Sequence, residues 1–359
     1  MSPLRQFDRL TQSYLEETWA LFPHEASDLG LHQFDAELGE NDAATWQAHG
    51  RLLAAALMET EALPDASFSG DPWLDRRAFL SLLRTGLHWN QKLERWRNNP
   101  QVHCDNAIQS ILNLVIRNSD RLAQTRPAIE SRLGKIPRFL SQGAACLRKP
   151  VPLWTRLARK SCDHVEEFLT DLGEQLAPSS PAPERTRQLA REAIAAFSKY
   201  AAAAENKAPG ASNGFAVGRE AFEFLTREKT GLSHSLPEIR TQGNDLAARL
   251  SREVEIEARK FGRKKAGQIL EEAAARWKPV AGSLLEEYRR MTGLVRDQFA
   301  HAGVVTFPKN EKCRVVAVPP FLRHHFPTAA YSQPGAFDKD QTGIFWVNDL
   351  GTALTDPAK

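Results

Sequence analysis

Most of the chain carries its apolar residues at helical spacing. Phe7, Leu10, Tyr14 and Leu21 share one face of an opening segment. Ile108, Ile111, Leu112 and Val115 repeat the pattern, with Asp105 placed ahead of them as an N-cap. Leu246, Leu250, Val254, Ala258 and Phe261 recur every three or four positions. Arg252, Glu253, Glu255, Glu257, Arg259 and Lys260 fill the other faces, which is the signature of a surface helix. Leu284, Tyr288, Met291, Val295 and Phe299 continue it. The spacing predicts about nine or ten helices before residue 300, separated by turns that carry Pro and Gly.

Two stretches break the pattern. Ala177 to Thr186 holds Pro178, Pro181 and Pro183, and Ala208 to Gly218 holds Pro209, Gly210, Gly214 and Gly218. Both read as connections, because interior proline removes a helical hydrogen bond and clustered glycine favours turns. After about residue 303 the pattern changes. Cys313 to Val318 and Gly343 to Asn348 are short β-branched or aromatic runs bounded by Pro and Gly, and they read as two strands. The expected class is therefore mainly α, a large helical array followed by a small β element. The expected organisation is a helical region over 1–176, a Pro/Gly-rich connection with a helix over 177–218, helices over 219–302, and the β element over 303–359. A β pair followed by only about ten more residues would leave its face uncovered.

Composition narrows the classes. The 47 Lys+Arg against 44 Asp+Glu leave +3, too little to argue for a nucleic-acid or membrane-surface partner. The longest strongly apolar run, Leu52 to Met58, is far short of the roughly 20 residues a spanning helix needs. The first ten residues are charged at intervals and resemble no secretory leader, so a cytoplasmic protein is expected. Cys104, Cys146, Cys162 and Cys313 are widely spaced without a Cys-x-x-Cys pair, and they read as reduced thiols.

No complete catalytic set appears. His24-Glu25 lacks the second His that a zinc-protease helix needs, because position 28 is Asp28; a loop after Pro23 is the expected setting. His324-His325 are neighbours that share no helix or strand face, which disfavours joint metal binding. The Lys260, Arg263, Lys264 and Lys265 group reads as a solvated helix face, and Asp163, His164, Glu166 and Glu167 as surface pairs. Phosphate-binding glycine loops are absent from the sequence. No catalytic residue and no metal ligand is assigned.

Two segments carry a resemblance. Pro23-His-Glu-Ala-Ser-Asp-Leu-Gly30-Leu-His32-Gln-Phe-Asp35-Ala-Glu-Leu38 resembles the opening motif of the bacterial domain-of-unknown-function family 885. There a small residue and then Gly-x-His-x-x-Asp-x-x-Leu follow the first helix. Gly214-Phe-Ala-Val-Gly218-Arg-Glu-Ala-Phe222 is similar to a later stretch of that family. Val315 to Pro320, Ala330-Tyr331-Ser-x-Pro334 and Gly343-Ile-Phe-Trp-Val-Asn348 follow in the same order.

The resemblance implies a fold similar to helical gluzincin metallopeptidases of the angiotensin-converting-enzyme type. In such folds a small sheet lies beside the active-site helix, and an edge strand can pair with an extended peptide. It also implies a zinc-dependent peptidase whose His-Glu-x-x-Pro-Gly-His-His-type signature comes after the strand like Gly343–Asn348. This sequence reaches Lys359 without that signature, so no cofactor is expected in this chain, although zinc is expected for a complete member. The expectation is an N-terminal scaffold and cleft wall, inactive alone, with Tyr331, Ile344, Phe345, Trp346, Val347 and Asn348 near a cleft for a peptide-like substrate. Self-association through an exposed β edge, and a stand-alone helical binding protein without catalysis, are the alternatives. Neither nucleic acid nor membrane is an expected partner.

Overall fold

A computed structural model describes residues 1–276, 284–309, 311–318 and 328–348. It is mainly helical with a small sheet near the C-terminus. The chain forms two compact units. The first holds Met1–Gly218, Glu228–Thr230 and Pro334–Asp340, and the second Arg219–Arg227, Gly231–Gln333 and Gln341–Lys359.

The first unit begins with α1 (Pro3–Leu21), α2 (Pro23–Asp28), α3 (Ala43–Ala62) and α4 (Asp71–Leu87). Local chemistry sets several of these starts. Pro3 and Pro23 occupy first-turn positions, where a missing N–H costs nothing. Asp42 caps α3 by accepting from the Thr45 amide at 2.8 Å. His24 and Glu25 thus lie on a short helix rather than in the expected loop. Packed between α1, α3 and α4 are Phe7, Tyr14, Leu53, Phe68, Phe79 and Leu83. Their rings meet edge-on, with Tyr14 and Phe79 at 5.3 Å and Phe7 and Phe68 at 5.6 Å.

A π-helical turn at His88–Lys92 leads into α5 (Arg95–Asn98), α6 (Gln101–Arg117), α7 (Leu122–Cys146), α8 (Pro152–Leu176) and α9 (Pro183–Glu205). Asp105 is not the cap of α6: the helix starts four residues earlier, after Pro100, and Asp105 lies inside it. Proline is also no barrier in α7, which runs through Pro127 and Pro137. Burial of Ile129, Leu133, Ile136 and Leu140 along one stripe of that helix outweighs the lost backbone bonds. Pro183, by contrast, opens α9.

Two arginines are drawn inside and serve carbonyls. Arg76 Nη2 donates to Thr60 O and Leu63 O, both at 3.1 Å, closing the C-terminal end of α3. Arg132 is fully buried and donates to Ser110 O and, at 3.3 Å, to Phe34 O.

The second unit holds most of α10 (Arg219–Thr230), then α11 (Leu236–Ala258), α12 (Ala266–Arg276) and α13 (Leu284–Ala302). Ser235 and Glu238 form a reciprocal capping box at the start of α11. The apolar stripe of α11 is not covered by the described residues: Leu246, Leu250 and Val254 remain exposed. The same holds for Met291, Val295 and Phe299 of α13.

The sheet has three strands rather than two: β1 (Lys312–Ala317), β2 (Ala329–Ser332) and β3 (Thr342–Val347), in the order β1-β3-β2. β1 and β3 are parallel, with Val315 opposite Phe345, and β2 is antiparallel to β3, with Tyr331 opposite Phe345. Four residues rich in Ala give β2 little strand character of their own, so only pairing with β3 makes it a strand.

Gly30 tests this packing. It has φ +94°, and a Cβ there would lie 2.7 Å from the Asp338 backbone nitrogen. Gly30→Ala is expected to destabilise the first unit by roughly 1–3 kcal/mol. Gly243→Ala, in α11 with open space around it, is expected to gain up to about 1 kcal/mol. Chemical denaturation of both variants checks the contrast, and equal effects would refute it.

Candidate functional site

The strand expected to offer its backbone, Ile344 to Val347, is the central one. β1 occupies one side and β2 the other, so its ladder has no free edge for a peptide. Trp346 and Val347 are core, Asn348 is buried, and Ile344 and Phe345 are half-buried. Trp346 Nε1 donates to Ser332 Oγ at 3.0 Å, and the Asn348 amide donates to Thr328 O at 2.8 Å. These residues therefore fix β2 against β3.

Tyr331 is different, with 57% of its surface exposed. Its phenol ring lies over Gly343, where any Cβ would collide with it, so glycine there makes room for the ring. Among the described residues β2 pairs on one side only, leaving an antiparallel edge of four residues beside Tyr331. Such an edge can accept an extended chain by main-chain hydrogen bonds.

A groove of about 1130 Å³ runs between α13 and the sheet, and Tyr331 is one of the residues that line it. Arg289, Val295, Phe299, Phe307, Val315 and Phe345 line it. Arg289 Nε donates to Val315 O at 3.1 Å, and the Arg296 guanidinium lies 4.8 Å from the Phe307 ring centroid. Cys313 also lines the groove, but partial burial and the Glu311 carboxylate push its thiol up, the wrong direction for a nucleophile. The periodicity revealed Phe299 as one helix position. That it lines one groove with residues of β1 is a tertiary fact with no local signal.

The Pro23–Leu38 motif sits in the first unit and is a knot of polar contacts. His24 is buried, with Nδ1 3.3 Å from Leu38 O, and burial followed by the Arg132 charge lowers it to about 4. Glu25 keeps an exposed surface, yet the protein around it and Asp28 push it up to about 7. Ser27 Oγ donates to Asp35 Oδ1 at 2.6 Å. His32 lies between two carboxylates, Asp35 at 3.1 Å and Asp338 at 3.0 Å. Asn113 Nδ2 donates to Asp28 Oδ2 at 2.6 Å.

Other described positions weighed in the sequence form surface ion pairs. Lys260 pairs with Glu257 and Lys264 with Glu272 on exposed surface, and Asp163 faces Arg159 along α8. His324 and His325 lie outside the described residues. Zinc needs three or four side-chain ligands around one point. Among the described residues no group of three His, Cys, Asp or Glu is so placed. No helix among them is long and apolar enough to cross a membrane.

A family profile matches residues 23–358. The chain belongs to the family described as "Bacterial protein of unknown function (DUF885)". No curated protein matches it. Two solved structures share the fold, each described as a "putative lipoprotein". One, from Shewanella oneidensis, has a TM-score of 0.69 at 16% identity. The other, from Colwellia psychrerythraea, has a TM-score of 0.65 at 12% identity. Each comparison covers 97% of this chain, but the chain spans only 66% and 68% of theirs.

Burial of His24 has a measurable consequence. The folded chain keeps the imidazole neutral down to about pH 4, whereas the unfolded chain takes up a proton near pH 6.5. The stability is therefore complete above pH 6.5 and is lost as pH falls towards 4. Relative to His24→Gln, the wild-type chain should lose up to about 1.4 kcal/mol per pH unit across that window. Denaturation midpoints at several pH values check this, and a pH-independent difference would count against it.

Proposed function

We propose that this chain forms the helical scaffold and one cleft wall of a metallopeptidase-like protein, and that the β2 edge beside Tyr331 receives an extended peptide. The observation that carries this reading is the antiparallel strand paired on one side, with a large exposed aromatic next to it. Main-chain bonds to the edge supply affinity that is tolerant of sequence, and Tyr331 supplies apolar area for one side chain. The family's resemblance to helical gluzincins supports the peptidase part. The described residues contribute binding and positioning, and no hydrolytic step is assigned to them.

Two measurements test it. Purified chain should bind unstructured peptides, and alternate N-methylation of the peptide backbone should weaken binding about tenfold, or about 1.4 kcal/mol. Tyr331→Ala should weaken it without shifting the melting temperature. Equal affinity for methylated and unmethylated peptides would remove the edge-pairing reading. The same chain should show no zinc-dependent cleavage. Chelator-sensitive cleavage restored by zinc would overturn the assignment of a binding role alone.

A second reading, a helical interaction protein without catalysis, is favoured by the exposed apolar faces of α11 and α13. It requires a cooperative, monodisperse chain. Light scattering during a thermal melt separates the two: an interaction protein keeps those faces for a different partner and stays monodisperse, whereas a cleft wall without its covering part self-associates through the β edge as concentration rises.

A further inference from the structure

A second groove, of about 670 Å³, lies between α1 and α4 in the first unit. On α1, Phe7, Thr11, Leu15 and Trp19 line it at intervals of four, so they form one row of side chains along the helix. At the rise of an α-helix that row is about 18 Å long. Phe79 and Leu82 of α4 supply the facing wall. Phe7 and Phe79 are buried, whereas Leu82 and Phe337 keep 47% and 52% of their surface exposed. Phe337 is nonetheless fixed: its amide donates to Leu29 O at 2.8 Å, and its ring meets Trp19 edge-on at 5.7 Å. An exposed ring already held in place loses little freedom on binding, which suits an interface anchor.

The charges of the lining are of one sign. Asp8, Glu16 and Asp75 carry carboxylates, and no Lys or Arg lines the groove. Glu16 accepts from Gln12 Nε2 at 2.9 Å, while Asp8 and Asp75 form no ion pair among the described residues.

We propose that this groove docks a basic amphipathic α-helix of another polypeptide, with apolar side chains facing the groove and Lys or Arg along its borders. Backbone chemistry selects a helix over an extended segment. The long walls are helices whose amides and carbonyls are already paired, so an extended chain finds no ladder to join. A helix arrives with its backbone satisfied and lays a ridge of side chains beside the row on α1. The three carboxylates select a basic partner, because like charge along the border opposes docking. Apolar contact supplies affinity, and the carboxylates set orientation and the rate of encounter.

A labelled synthetic helix of about 15 residues, with Leu on one face and Lys on the others, is titrated with the purified chain by fluorescence anisotropy. One control peptide replaces every Lys by Glu, and another scrambles the Leu and Lys order so that no apolar face remains. The Lys helix should bind at least about tenfold more tightly than either control, and less tightly as salt rises. Phe337→Ala and Leu82→Ala change exposed positions and should each weaken binding without shifting the melting temperature. Asp8→Asn combined with Asp75→Asn should weaken it and flatten its salt dependence. An absence of binding, equal affinity for either control, or affinity unmoved by Phe337→Ala and by the Asp8/Asp75 double variant would overturn the proposal. So would a self-associated chain that Phe337→Ala makes monomeric, because a second copy would then occupy the groove.

Discussion

Two glycine backbones approach so closely that no side chain fits between them, and the polar knot of the first unit depends on this. A Cβ on Gly335 would lie 2.6 Å from the Leu29 carbonyl group, and one on Gly30 equally close to Asp338. The contact lets the Phe337 amide donate to Leu29 O at 2.8 Å and brings Asp338 to His32. His32 then ties Asp338 to Asp35, and Asp35 holds Ser27 of α2. The Gly-x-His-x-x-Asp spacing thus has a structural meaning: glycine for proximity, His to join two carboxylates, and Asp to anchor the preceding helix.

This assigns the titratable residues of the motif to architecture. His24 is lowered because it is buried and lies near the Arg132 charge, and Glu25 is raised by the protein around it and by Asp28. Perturbed groups mark functional sites only when they converge on space where a ligand can sit. Here their partners are Leu38 O, Asn113 and segments of the same unit. The features suited to binding lie elsewhere, at the β2 edge, in the groove between α13 and the sheet, and in the groove between α1 and α4.

Much of the helical array was legible because each helix declares itself by a local period. Phe7 and Tyr14, and likewise Ile111 and Val115, are buried as their spacing implied. Proline misled in both directions, since α7 continues through Pro127 and Pro137, whereas Pro23 begins a helix where a loop was expected. The strands Lys312–Ala317 and Thr342–Val347 were visible in β-branched and aromatic composition. Ala329–Ser332 was not, because its hydrogen bonds are made to residues more than ten positions away.

The sequence by itself determined the class: a mainly helical chain with a small C-terminal sheet, nearly neutral, with a motif order that places it in its family. Those properties follow from local periodicity, backbone chemistry and composition. Only the tertiary structure decided that Ile344–Val347 is the central strand and that Tyr331 lies on an edge strand. Strand order, edge exposure and side-chain contact between helices depend on pairings across long sequence separations, and a local pattern does not encode which partner is chosen.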